Sequence, residues 1–176
     1  MLSLIGKLAH AAKIVKPGRT FLRRTLDVAH TVTDLNHYVK LKLEFKSDLA
    51  WWEYFLEQWN GLSMMESLHH NQAPFAVWHT DASGAWGCGA YWGGMGHWIQ
   101  VQWNAEWLMN NITLKEMIPI VLAIAMWGKY CSHKHVLVYC DNMAVVQIMV
   151  SNTSKEPGMM HLLRCLHFFT AMADIH

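Results

Sequence analysis

The chain has 176 residues, enough for one domain plus an extension, with 53% hydrophobic and only 15% charged residues. That composition excludes a disordered chain, and no apolar run reaches the ~18 residues of a membrane span. The net charge of +1 hides an asymmetry. Met1–Leu49 carries nine basic residues against four acids, and the remainder five against nine. A basic arm joined to an acidic domain fits a polyanion-holding segment beside a metal-holding one; an ordinary solvated surface explains the charge equally well.

"LIGKLAHAAKIVKPGRTFLRRTLDVAHTV" reads as helix, turn, helix, broken at Pro17–Gly18. Phe21, Leu22, Leu26 and Val28 form a loose apolar stripe beside Arg19, Arg23 and Arg24. "HYVKLKLEF" alternates, with Val39, Leu41, Leu43 and Phe45 on one side, and predicts a half-exposed strand. "SDLAWWEYFLEQWNG" predicts a helix capped by Ser47, with Leu49, Trp52, Phe55, Leu56 and Trp59 on one face and Gly61 at its end. Residues 62–74 have no period and read as a linker between 1–61 and a second domain at 75–176.

In that second domain, Phe75–Asp81, Ala85–Trp92 and His97–Trp103 predict three short strands in an antiparallel meander. "ITLKEMIPIVLAIAMWGKYC" is a helix apolar nearly all round, expected to be buried on more than one side. "HVLVYCDN" predicts a fourth strand, followed by helices over "MAVVQIMVSN" and from near Pro157. The order implies an α/β fold, a mixed sheet flanked by helices.

Acids are few here, so their places are informative. Asp81 ends the first strand, Glu116 lies in the first turn of the long helix, and Asp141 ends the fourth strand. If strands one and four are parallel neighbours, both aspartates leave the same sheet edge, and the helix can bring Glu116 over it. Clustered carboxylates repel unless a cation sits among them. Oxygen donors select Mg²⁺ or Mn²⁺, and two such ions suit phosphodiester hydrolysis. Each acid also has a plain structural explanation. Thr113 and Glu116 fit a capping box, Asp141–Asn142 can cap the next helix, and Asp81 can head a turn with Ser83–Gly84.

Ser83, Asn142 and Gln147 are candidate sugar or phosphate contacts. Trp86, Trp92, Trp98 and Trp103 can stack on bases, although packing in the core or at an edge explains them better. The four cysteines lack C-x-x-C spacing, so they read as reduced thiols of an intracellular protein without a zinc site, Cys88 and Cys140 being small buried residues.

"TDASGAWGCGAYW", "ITLKEMIPIVLAIAMWG" and "VLVYCDNMAVV" resemble the first three motifs of a retroelement ribonuclease H domain. "LIGKLAHAAKIVKPGRTFLRRTLD" and "DLAWWEYFLEQWNG" resemble the end of a reverse transcriptase, its thumb and connection. With "MHLLRCLHFF", the chain is most similar to the polyprotein of DIRS-type (tyrosine-recombinase) retrotransposons. The resemblance implies cleavage of RNA in an RNA–DNA hybrid with two Mg²⁺ ions, Asp81 bridging them and Glu116 and Asp141 completing their ligands. It further implies nucleic-acid contacts from Ser83, Asn142, Arg19, Arg23 and Arg24, and the rest of a reverse-transcriptase polyprotein as partner, without a membrane. The family's fourth carboxylate follows a fifth strand, which is expected to begin near His176. Asp174 comes too early for that role. The polymerase palm is not in the chain. The expectation is therefore a truncated ribonuclease H domain without polymerase activity, or alternatively a non-catalytic nucleic-acid-binding fragment.

Overall fold

A computed structural model of the chain describes residues 2–15, 17–32, 38–58, 73–173 and 175. The chain divides into two compact units, Met1–His70 and Asn71–His176. The division falls inside the stretch expected to be a linker.

The first unit contains α1 (Leu2–Ala11), α2 (Gly18–His30) and α3 (Leu43–Gln58). Pro17 precedes α2 as its N-cap, as the Pro-Gly break predicts. Leu8, Val15, Phe21, Leu22 and Trp52 make the core. Phe21 stacks on Trp51 at 3.9 Å, and Trp51 on Phe55 at 5.0 Å. Gly18 is required at the start of α2, because a Cβ there would run into the indole of Trp52. Arg24 Nη1 donates to Asp48 Oδ1 at 2.9 Å and to the Glu44 carbonyl at 2.9 Å, tying α2 to α3.

The predicted strand over Val39–Phe45 does not form. Residues 38–42 have no regular structure, and α3 starts at Leu43. Phe45, Asp48 and Trp52 are all buried, at i, i+3 and i+7. The helical period thus extends back through Phe45, and burial on the α2 side outweighs the local alternation. Ser47 is consequently not a cap. It sits inside the helix and its hydroxyl donates back to the Leu43 carbonyl at 3.0 Å. Trp59 and Gly61 lie outside the described residues.

The second unit is α/β. β1 (Ala76–Ala82), β2 (Gly87–Trp92), β3 (His97–Gln102) and β4 (Val136–Tyr139) form one sheet of order β3-β2-β1-β4. β1–β2 and β2–β3 pair antiparallel, and β4 joins β1 in parallel. Short α4 (Ala105–Leu108), long α5 (Ile112–Trp127), α6 (Met143–Ser151) and α7 (Pro157–Ala173) complete it, with a 3-10 turn at Gly128–Tyr130. Among the described residues no helix is long and apolar enough to cross a membrane.

Alternation along the strands decides the two faces. Ala76, Trp78, Thr80 and Ala82 of β1 and Cys88, Ala90 and Trp92 of β2 are buried. Of these, Ala76, Trp78, Ala90 and Trp92 form one core with Met117, Ile120, Ile124 and Trp127 of α5 and Met159 and Leu163 of α7. Trp78 lies 5.8 Å from Trp92 and 5.5 Å from Trp127, edge on, at the centre. The opposite face presents His79, Asp81, Tyr91, Trp98 and Tyr139, all exposed. Gly87 belongs to this face; a Cβ there would collide with the Val101 carbonyl of β3.

Trp78→Ala is expected to lower the unfolding free energy of this unit by ~3–5 kcal/mol, read by urea denaturation; a loss below ~1 kcal/mol would mean the tryptophan cluster is not its centre. His167 on α7 is held largely out of water and its Nε2 has no hydrogen-bond partner. Burial lowers its pKa from 6.5 to about 4. The unfolded chain then binds the extra proton first, so this stability is present above pH 6.5 and is lost as pH falls toward 4. His167→Phe should flatten the acid side of the stability profile relative to the parent; parallel profiles would refute it.

Candidate metal site

The parallel pairing of β1 and β4 places their C-terminal ends side by side, with His79 opposite Tyr139 in register. The Thr80 hydroxyl donates to the Tyr139 carbonyl at 3.1 Å and fastens the two strands where they end. Asp81 comes two residues after His79, and Asp141 two residues after Tyr139, just beyond β4. Asp81 stands on the helix-free face opposite Gly89, and its Oδ1 accepts from the Ala82 amide at 2.8 Å. Glu116 arrives from the helix side, on α5.

The capping-box reading of Glu116 is overturned. Asn111, not a residue at Thr113, caps α5, its side chain accepting from the Leu114 amide at 2.8 Å. Asn111 Nδ2 also donates to both Glu156 carboxylate oxygens at 3.1 and 3.2 Å. Glu116 therefore lies in the second turn, beyond the reach of any cap, and its side chain is 5% exposed. Its Oε2 is buried with no hydrogen-bond partner. Burial first, then the Asp81 and Asp141 charges, raise its pKa from 4.5 to about 7, while the Ala82 backbone amide pulls the other way.

Ligand atoms of Glu116, Cys140 and Asp141 lie within 4.8 Å of one another. Asp81 is outside this tight group but close enough for its charge to act on Glu116. Of the three predicted acids, the fold thus clusters Glu116 with Asp141 and sets Asp81 beside them. Cys140 is the member that sequence reasoning missed. Its position directly before Asp141 was the available signal. Burial, opposed by an Asn142 backbone hydrogen bond, raises its thiol pKa, and the three carboxylates add to the rise. The Cys88 thiol, buried near the same acids, is pushed up to about 11 by burial and then by the Glu116 charge.

Asn142 takes the structural role weighed for it. As N-cap of α6 its side chain accepts from the Ala144 and Val145 amides at 3.0 and 3.2 Å, which fixes the turn carrying Asp141. The Ser83 hydroxyl accepts from the Ala85 and Trp86 amides, both at 3.3 Å, and shapes the turn after Asp81. A second residue missed in the sequence supports that turn. Lys115 is 3% exposed, yet Nζ donates to the Gly84 carbonyl at 2.6 Å and the Leu108 carbonyl at 3.0 Å. A lysine inside an apolar helical run, next to Glu116, was its signal.

The four tryptophans separate. Trp92 is core and Trp103 half-buried, its Nε1 donating to the Ser83 carbonyl at 2.6 Å. Trp86 and Trp98 are 82% and 70% exposed, so packing does not account for them. With Asp81, Ser83, Tyr91 and Gln100 they line a hollow of about 770 Å³ on the open sheet face. In the first unit, Arg23 pairs with Asp27 at 3.0 Å and Arg24 with Asp48, so these two predicted nucleic-acid contacts have partners within their own unit; Arg19 is exposed.

With chelator present, the raised Glu116 pKa contributes stability below pH 4.5 that is lost as pH rises through about 7. Its slope opposes that of His167, so the contrast with a single variant is the informative quantity. Glu116→Gln should gain stability relative to the parent as pH rises from 5 to 8 in thermal melts; a constant difference would mean that Glu116 is already charged at pH 5. No family model matches the chain, and neither curated proteins nor solved structures give a match.

Proposed function

We propose that the second unit is a ribonuclease H-like domain of retroelement descent that hydrolyses phosphodiester bonds of RNA in RNA–DNA hybrids with magnesium. The observation that carries this reading is the partnerless buried oxygen of Glu116, set among Asp141 and Asp81. A carboxylate in that position lacks a counter-charge that a divalent cation supplies. The donors fit a hard cation: three carboxylates from two strand ends and one helix, with Mg²⁺ or Mn²⁺ preferring oxygen.

Glu116, Asp141 and Asp81 would hold the metal. Bound there, magnesium supplies Lewis-acid stabilisation of charge developing at the scissile phosphodiester. The chain's own residues set where that happens. The Asn142 cap holds the Asp141 turn, and Lys115 holds the Gly84 turn behind Asp81. Ser83 lines the same hollow as Asp81, and the 2′-hydroxyl of an RNA strand offers both a donor and an acceptor to such a group. The choice of hybrid as substrate, and of a reverse-transcriptase polyprotein as the setting, follows from the resemblance of "TDASGAWGCGAYW", "ITLKEMIPIVLAIAMWG" and "VLVYCDNMAVV" to that family's motifs.

The test is cleavage of an end-labelled hybrid. Mg²⁺-dependent cutting of the RNA strand is expected, falling to background in Asp81→Asn. Cleavage unchanged by that substitution would sink the assignment. Salt-sensitive hybrid binding without cleavage in Mg²⁺ or Mn²⁺ would make the chain a non-catalytic binder instead.

A further inference from the structure

A thiol is an odd neighbour for a magnesium site. Magnesium demands octahedral oxygen donors, whereas thiolate sulfur favours softer ions such as zinc. Yet Cys140 Sγ stands within 4.8 Å of carboxylate oxygens from both Glu116 and Asp141. Two observations point to a ligand there independently. One is the mixed donor cluster itself. The other is Glu116 Oε2, buried without any hydrogen-bond partner on a residue only 5% exposed, whose carboxylate belongs to that cluster.

We propose that Glu116, Cys140 and Asp141 form a site for a thiophilic divalent cation, zinc above all. Tetrahedral zinc has bonds of about 2.0–2.3 Å to these donor types, which sets the donors roughly 3.5 Å apart. Closing the cluster from 4.8 Å asks for an inward movement of about an ångström. Cys140 and Asp141 are adjacent, and Asp141 is exposed and free to adjust its rotamer. Glu116 comes from α5 and the other two donors from just past the end of β4, so two separate elements supply the site. Three protein donors leave the fourth position for water or Asp81, the pattern of an open zinc site. Binding releases the Cys140 proton to solvent, so zinc affinity rises with pH.

The consequence for activity rests on the reading above. Glu116 and Asp141 cannot serve zinc and magnesium at once, so zinc would inhibit hybrid cleavage by occupying magnesium's ligands. Cys140 is then a selectivity residue: it raises affinity for the inhibitory ion and adds nothing to magnesium.

The metal-binding test uses the full chain without nucleic acid, which separates it from the nuclease reading. Co²⁺ is titrated as a spectroscopic stand-in for zinc, and Zn²⁺ competes against a chromophoric chelator. A near-ultraviolet thiolate-to-cobalt charge-transfer band is expected. Cys140→Ser should abolish it and weaken Zn²⁺ by at least ~10-fold, since even outer-shell changes cost that much; Cys88→Ser should keep both. Cooperative melting of each variant establishes that it is folded. Absence of the band in the parent, or equal Zn²⁺ affinity in parent and Cys140→Ser, overturns the proposal. If cleavage is found, its Zn²⁺ inhibition should shift by the same factor in Cys140→Ser. A band without any cleavage leaves the zinc site standing and removes the nuclease reading; cleavage without a band does the reverse.

Discussion

The parallel pairing of β1 with β4 is the constraint on which the second unit depends. Ala76 to His79 lie against Val136 to Tyr139, in a pairing closed by Thr80 at the Tyr139 carbonyl. Parallel strands need a crossover, and α5 belongs to the segment that makes it. One register therefore sets three things together. It brings two strand ends level, delivers Asp81 and Asp141 to one edge, and lays α5 over the sheet with Glu116 above that edge. A slip of one residue would send Asp81 into the helix-packed face and Trp78 out of it, at the cost of the whole tryptophan cluster. The core thus enforces the geometry of the site.

The site is held against its own electrostatics. Glu116 is buried beside two acids, and each of these effects penalises its charge. The Ala82 backbone amide works against that penalty, while several second-unit contacts fix the backbone around the site. Asn111 caps α5 and grips Glu156, Asn142 caps α6, and the buried Lys115 clasps the turn after Asp81. Lys115 Nζ donates to the Gly84 and Leu108 carbonyls, so its role is to hold backbone.

The first unit follows a different logic. Among its described residues, the rings of Phe21, Trp51, Trp52 and Phe55 pack face to face or edge on and join Leu8, Val15 and Leu22 in one core. The ion pair of Arg24 with Asp48 is a case where charge serves packing. Asp48 is 1% exposed and needs that partner. Arginines that read from the sequence as hands for a polyanion are thus partly occupied by their own fold.

Much of the molecule was legible in the residues. Pro17–Gly18 marked the break before α2, Asp141–Asn142 marked a strand-to-helix turn, and the short strand-like run Phe75–Asp81 marked β1. These are local signals, and local backbone chemistry determines them: proline's fixed φ, a capping side chain, the period of the pleat. The same locality explains the failures. Alternation over Val39–Phe45 suggested a strand, but Phe45 belongs to the helical period of Asp48 and Trp52, visible only once α2 supplies the surface that buries them. Thr113 and Glu116 had capping-box spacing, but Asn111 took the cap and freed Glu116. Cysteine spacing argued against metal, because spacing sees only neighbours along the chain. Cys140 meets Glu116 across 24 residues, through a strand pairing and a crossover. The sequence alone determined the four strands and three longer helices of the second unit and the acids at or just beyond the ends of two of the strands. Only the tertiary structure decided which groups share one desolvated space, because desolvation and Coulomb interaction depend on distance through space and not on separation along the chain.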